Sequence, residues 1–295
     1  MASAKDIRKR ITSVKNTQQI TRAMKMVSAA KLRRAQESIF ALRPYAHGIN
    51  DIVLSLLKGL DPDYSHPLLL TREKTDKPNL LLVVVTSDRG LCGALNGSTI
   101  KTAQRLLNAN SEKYAKTDVA FIGKKGYEFF KTKKTGIQYF QNVFQNLKIA
   151  KAKAIANELI QLFCSEQYDE ISFIYNEFKS ALSQKVCIEK FLPVSPLDLP
   201  TTPENIQSLP ITIYEPSASE ILDQLLPQHF AVQVYRILRE SLASEHAARM
   251  TAMENATRNA GEMIKKLTLV YNKTRQAGIT KELLEITSGS EAQKA

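Results

Sequence analysis

The chain has 295 residues, 43% of them hydrophobic and 24% charged, with 41 Lys and Arg against 29 Asp and Glu. That length and apolar content exclude a disordered chain and allow one substantial core plus an elongated extension. The net +12 is unevenly placed: residues 1 to 43 carry eleven bases against Asp6 and Glu37, whereas residues 44 to 227 balance twenty bases with twenty acids. A basic segment beside a neutral domain faces something acidic.

In chain order, residues 3 to 43 contain neither Gly nor Pro, and from Ile39 the apolar positions step as Leu42, Ala46, Ile49, Val53 and Leu56. Steps of three and four make one stripe on a helix. Leu80 to Thr86 is a continuous apolar run, the pattern of a strand covered on both faces. It leads through a turn, Ser87 to Gly93, into a helix from about Ser98 to Asn108. Val119 to Ile122 reads as a second strand closed by Gly123, and Gly126 to Lys131 as a short helix. Lys148 to Gln167 is predicted helical, then Glu170 to Phe178 and Val186 to Pro193 form a strand pair turned at Ser180 to Gln184. Strands alternating with helices imply a mostly parallel, doubly wound α/β sheet. Pro193 to Pro210, with five prolines, reads as a surface connection, Ile211 to Tyr214 as a last strand, and Ser217 to Leu226 as a helix capped by Ser217 or Ser219. From Gln228 to Ile286 only Gly261 and Gly278 interrupt a stripe of Val234, Leu238, Leu242, Ala248, Ala252, Ala256, Met263, Leu267 and Val270. The terminal stripes predict an antiparallel coiled coil. The division is 1–57, an N-terminal coiled-coil helix; 58–227, a central α/β domain; and 228–295, a C-terminal coiled-coil helix.

The chemistry-bearing residues do not assemble into a catalytic pattern. Cys92, Cys164 and Cys187 are odd in number, far apart and flanked by apolar residues, which reads as three small buried side chains. His47, His66, His229 and His246 have no metal-ligand spacing. There is no Walker A pattern, and Gly90-Leu91-Cys92-Gly93 lacks the spacing of a dinucleotide loop. Cys92 has no nameable base to activate it. Asp88 and Arg89 read as organisers of the turn, and Asp118, Asp169, Glu170 and Glu177 as solvated or strand-edge acids. The longest aliphatic run, Leu80 to Val85, is far short of the roughly 20 residues that cross a bilayer, and Met1 to Arg10 lacks a secretory apolar stretch. A transit peptide is disfavoured because the apolar pattern runs into the helix without a cleavage-like break.

Three segments, in order, resemble one family. IRKRITSVKNTQQITRAMKMVSAAKLRRAQ from Ile7 to Gln36 closely resembles the amino-terminal helix of F-type ATP synthase gamma subunits. SDRGLCGALN from Ser87 to Asn96 resembles that family's central turn. SEHAARMTAMENATRNA from Ser244 to Ala260, continuing to LVYNKTRQAGITKELLEI at Leu269 to Ile286, resembles its carboxyl-terminal helix. The resemblance implies a rotor shaft that couples proton-driven rotation of a membrane ring of c subunits to ATP synthesis at catalytic beta subunits. The chain itself would hold no nucleotide, cofactor or metal and do no catalysis. Implied partners are three alpha and three beta subunits per copy, epsilon, and the c-ring. The implied location is the inner, cytoplasmic face of a bacterial cell membrane, held there peripherally, with an organellar membrane the less favoured alternative. By motif, Met24, Lys25 and Met26 fall where the shaft meets acidic lever loops of beta, although Met24 equally suits coiled-coil packing. Arg275, Gln276 and Thr280 fall where the upper shaft hydrogen-bonds beta loops, with a solvated helix face the alternative for Arg275. Lys9, Arg10, Arg33 and Arg34 contribute field. A helix from Ser3 to Leu57 would span roughly 80 Å against a radius of gyration near 16 Å for a domain of about 180 residues. Thr287-Ser288-Gly289-Ser290-Glu291 departs from the more apolar tip of the family, and no cysteine lies between Pro193 and Pro227 to provide thiol control. Two other readings stay open: a nucleic-acid-binding protein using the basic helix, against which the continuous apolar stripe argues, and a coiled-coil scaffold, which only partner identity separates from a rotor.

Overall fold

The computed structural model describes residues 3–58, 64, 66–69, 77–109, 113–132, 137–194 and 214–292. It divides into two compact units, one of residues 1–29 with 249–295 and a larger one of residues 30–248.

Helix α1 spans Ala4–Lys58. It begins at a capping box, in which the Asp6 backbone N–H donates to Ser3 Oγ at 3.2 Å and the Ser3 N–H donates to Asp6 Oδ2 at 3.3 Å. Its predicted stripe is the inward one. Ile39, Ala46, Ile49, Val53 and Leu56 are buried and Leu42 packs against them. The helix passes through Pro44. A proline costs a helix one hydrogen bond, and buried turns on both sides, at Ile39 and at Ala46 to Ile49, hold the chain helical across it.

The larger unit is built on a five-stranded sheet of β1 (Asn79–Val85), β2 (Lys116–Ile122), β3 (Ile137–Phe140), β4 (Glu170–Phe178) and β5 (Gln184–Leu192). The order is β3-β2-β1-β4-β5, parallel throughout except for the antiparallel β4–β5 pair. Alternate residues of the apolar strands supply two cores, as the pleat requires. Leu81, Val83, Val85, Ile171 and Phe173 face a cluster with α1, α4 (Ile149–Cys164) and the start of the last helix. Leu82, Val84, Phe121 and Ile174 face Ala103 of α2 (Leu95–Ala109) and Phe130 of α3 (Lys124–Phe130). Helices therefore cover both faces, the doubly wound arrangement. The four residues of β3 have no counterpart in the sequence reading, because so short an edge strand shows too few alternations to register as a pattern.

The last helix, α5, runs Ala218–Ala292. Ser217 caps it, accepting the Glu220 N–H at 3.2 Å and donating to the Glu220 carboxylate. The sequence reading places one helix before Pro227 and another after it; the structure joins them. Leu222, Leu226, Phe230 and Val234 are all buried in the sheet's core, and that packing holds the helix through the proline. Leu222 and Leu226 thus belong to the same helix as the coiled-coil stripe. Ile211 to Ile213 and Ser195 to Pro210 lie outside the described residues.

The turn after β1 serves α3. Gly123, at φ +97, has no room for a side chain, since a Cβ would fall 1.9 Å from the Thr86 carbonyl oxygen. In place of a side-chain cap, the first N–H groups of α3 go to Asp88 Oδ1 (from Lys124, 3.1 Å), the Ser87 carbonyl (from Lys125, 3.1 Å) and Thr86 Oγ1 (from Gly126, 2.9 Å). Asp88 organises the turn as expected.

Candidate interaction surfaces

Within the smaller unit, residues of α1 and α5 touch along an antiparallel line. Thr21 Oγ1 meets Thr257 Oγ1 at 2.8 Å, and Lys25 Nζ meets Glu254 Oε1 at 2.6 Å. One step along α1 is then one step back along α5, so Ser3 comes level with Arg275. Beyond that level no described residue of α1 lies beside α5, and residues 275 to 290 are exposed without exception.

The six predicted contact residues fall into two separate groups. Met24 and Lys25 are half-buried, while Met26 is 59% exposed. Lys25 is held by Glu254 and is not a free cation. Arg275, Gln276 and Thr280 are all exposed, and Thr280 Oγ1 donates to the Gln276 carbonyl at 3.0 Å. From the level of Lys25 to Arg275 is roughly 30 Å along the helix at 1.5 Å per residue. The structure therefore supplies two patches. Sequence reasoning missed the apolar residues around each: Ile20 and Val27, 61% and 56% exposed, flank Met24 at helical spacing, and Ile279, Leu283, Leu284 and Ile286 stand exposed past Arg275. An i, i+4, i+7 scan for apolar residues off the buried stripe would find both. Lys9, Arg10, Arg33 and Arg34 are exposed, in keeping with a field role.

Two residues assigned to the α5 stripe face the other way. Met263 and Val270 are 53% and 50% exposed. The inward residues from Met253 onward are Thr257, Ala260, Ile264, Leu267, Tyr271 and Thr274, a strict four–three repeat that leaves Met263 and Val270 one position off it.

In the larger unit, a cavity of 580 Å³ lies among Arg43, His47, Tyr175, Cys187, Ile188 and Arg236. Its cations are already matched, Arg43 to Glu240 at 3.1 Å, Lys179 to Glu177 at 2.6 Å and Arg236 to Glu189. Burial and the bond to Glu177 push the Cys187 thiol up to about 11, which removes it as a nucleophile at neutral pH. Cys92 is buried, bonded to the Asn96 amide at 3.2 Å, while Asn96 also bonds Ser87. Against the expectation of three buried thiols, Cys187 is only half-buried and Cys164 is exposed at the end of α4, where its position falls off the face that buries Ile155, Ala156, Leu159 and Phe163. Asp118 is buried on β2 between Tyr168 and Lys116, a structural acid instead of a solvated one. Among the described residues no group of three His, Cys, Asp or Glu side chains could hold a metal, and no helix is long and apolar enough to cross a membrane.

A family model described as ATP synthase matches residues 3–293. The ATP synthase gamma chain of Geobacter sp. (strain M21) is 50% identical over 294 residues, covering 100% of both chains. The chain belongs to the ATP synthase gamma family. The gamma chain of Bdellovibrio bacteriovorus is 45% identical over 299 residues, again covering both chains fully. A chain from the central stalk and c-ring of the Tetrahymena thermophila mitochondrial ATP synthase is 28% identical, with a TM-score of 0.59 over 80% of this chain and 99% of that one. A chain from the Euglena gracilis mitochondrial enzyme shares the fold, with a TM-score of 0.65 at 22% identity, covering 98% and 94%. The family's three sequence segments thus occupy α1, the β1–α2 turn and α5.

Proposed function

We infer that this gamma-family chain is the central-stalk rotor of an F-type ATP synthase, a non-catalytic subunit that carries rotation between the proton-driven ring and the nucleotide sites. Full-length identity of 50% to a gamma chain carries the reading. Residues 1–57 and 228–295 act as the shaft and 58–227 as the domain that meets the rest of the stalk. The partners are three alpha and three beta subunits per copy, epsilon and the c-ring, and the complex sits on the cytoplasmic face of a bacterial cell membrane, where this chain is peripheral.

The exposed groups of the smaller unit fit this role. Ile20, Met24, Met26 and Val27 place apolar surface beside Arg22 and Lys25, and exposed apolar surface bordered by charge is the mark of a protein contact. A beta loop that is acidic and partly apolar matches it. Arg275, Gln276 and Thr280 present polar groups for a second contact higher on α5, Arg275 with a fork that suits a carboxylate. A shaft can favour one state of a nucleotide site only by the difference in its contact energy with the alternatives.

Native mass spectrometry of a tagged copy isolated with its partners tests the assignment. One copy with three alpha and three beta subunits supports it, and recovery alone or with nucleic acid overturns it. The contact assignment is tested by Lys25→Glu, which should lower protons pumped per ATP hydrolysed while assembly is retained. Unchanged pumping in that variant would remove Lys25 from the contact.

A further inference from the structure

The buried face of α1 keeps a four–three repeat from Ile7 to Leu56, yet four consecutive positions of it, Gln18, Thr21, Lys25 and Ser28, are polar. Two full turns of a seam without a large apolar side chain forfeit packing that a leucine there would supply.

Their contacts are specific. The Gln18 side-chain amide donates to the Thr257 carbonyl at 3.2 Å. Thr21 Oγ1 and Thr257 Oγ1 lie 2.8 Å apart, and each is also within reach of a carbonyl on its own helix, Gln18 at 3.0 Å and Met253 at 2.7 Å. Two hydroxyl protons serve those three contacts, so one threonine donates across the seam while the other donates back to its own helix. Lys25 pairs with Glu254 at the next level. A sixth residue supports this arrangement from the other side. Gly261, in the middle of α5, would carry a Cβ 3.0 Å from Gln18 Nε2. A mid-helix glycine costs about 1 kcal/mol against alanine, and here its missing side chain is the space the Gln18 amide uses.

We propose that Gln18, Thr21, Lys25, Glu254, Thr257 and Gly261 form a polar clasp that fixes the axial register of α1 against α5, so that the pair cannot slide under load. An apolar heptad seam tolerates a slip of seven residues, since each knob finds another apolar hole. This one does not. A seven-residue slip sets Thr21 opposite Met250 or Ile264, and Lys25 opposite Ala247 or Gly261, so that Thr21 keeps only the Gln18 carbonyl of its own helix and Lys25 keeps only water. The clasp belongs to the chain's own pairing, while the load it resists rests on the rotor reading.

Cross-linking in the assembled complex tests the clasp. In a chain with Cys92, Cys164 and Cys187 replaced by serine, Ile11→Cys is combined separately with Leu267→Cys, at the native level, and with Ala260→Cys or Thr274→Cys, one heptad to either side. With the clasp intact, oxidation during ATP-driven rotation should yield the 11–267 disulfide alone. Adding Gln18→Leu, Thr21→Val and Thr257→Val makes the seam more apolar, so the helices remain paired. The slipped 11–260 and 11–274 products should then rise by roughly tenfold or more, since the variant removes two interhelical hydrogen bonds, Gln18 to the Thr257 carbonyl and Thr21 to Thr257. Thr21→Ser with Thr257→Ser, which keeps both hydroxyls, should restore the native pattern. An unchanged cross-link pattern in the apolar variant overturns the proposal, and so does slippage that the serine pair fails to suppress. The same cross-links formed in the isolated full-length chain without ATP give a readout that needs no rotor, so a chain that failed the subunit count above would still test the clasp.

Discussion

Each unit carries an ion pair between α1 and α5, and the two are built differently. In the larger unit Arg43 meets Glu240 at 3.1 Å, and the Glu240 side chain is 4% exposed, with its second oxygen accepting the Phe178 N–H at 3.0 Å. In the smaller unit Lys25 meets Glu254 at 2.6 Å with both side chains open to water, 38% and 54% exposed. The shorter pair is the weaker one. Water screens it, whereas Glu240 is buried and holds the Phe178 backbone N–H as well as Arg43. The larger unit is thus held by an apolar core with a few committed polar contacts, and the smaller by helix propensity, a thin seam and contacts chosen for position.

The largest expected difference between the units lies in their response to acid. All four histidines, His47, His66, His229 and His246, belong to the larger unit. His229 is buried against Phe230 with no hydrogen-bond partner for Nδ1 among the described residues. Burial, with the nearby Arg236 charge, lowers its pKa to about 4, against a partial offset from Glu189. Its folded pKa lies below its unfolded value, so its contribution is fully present above about pH 6.5 and is lost as pH falls toward 4, for about 3 kcal/mol in all. Amide exchange should show protection of the β1 and β4 strands falling across that window while α5 near Ala260 changes less. His229→Gln should remove most of the difference. Equal acid loss in wild type and variant would mean that carboxylates, not His229, set the profile.

Next in size is the ion-pair comparison itself. Glu240→Ala should cost about 2–3 kcal/mol in denaturant unfolding, since it strands the Phe178 N–H as well as Arg43. Glu254→Ala should cost about 0.2–1 kcal/mol, the range of an exposed pair. Equal costs would break the distinction drawn here.

Much of this contrast was legible in the residues. The unbroken aliphatic run of β1 and the stepped stripe from Ile39 to Leu56 announce burial directly, because both express a period that only one structure satisfies. Other features depend on neighbours that a local pattern does not contain. Pro227 reads as a boundary, and only the core around Leu226 and Phe230 carries the helix through it. Met263 and Val270 read as seam residues by hydrophobicity, and the four–three count from Met253 moves them outside. Lys25 reads as a free cation until Glu254, 229 residues later, is brought beside it. The polar clasp hid in plain sight, since Gln18, Thr21 and Ser28 look like surface residues unless the repeat is counted through them.

The smallest expected effect on stability falls at the end of α5, where it separates folding from assembly. Ile279, Leu283, Leu284 and Ile286 are 49%, 57%, 61% and 68% exposed, on a stretch that lies past the level of Ser3. Exposed substitutions away from packed features change stability by no more than about 0.5 kcal/mol. Leu283→Asn with Ile286→Asn should therefore leave the thermal midpoint of the free chain almost unmoved. Large apolar side chains grouped in water are the mark of a contact surface, so the same variant should lower the fraction of complexes that retain the chain through purification. Loss of thermal stability in the free chain would show that these residues pack within it, and full retention with full pumping would show that the helix end carries no contact at all.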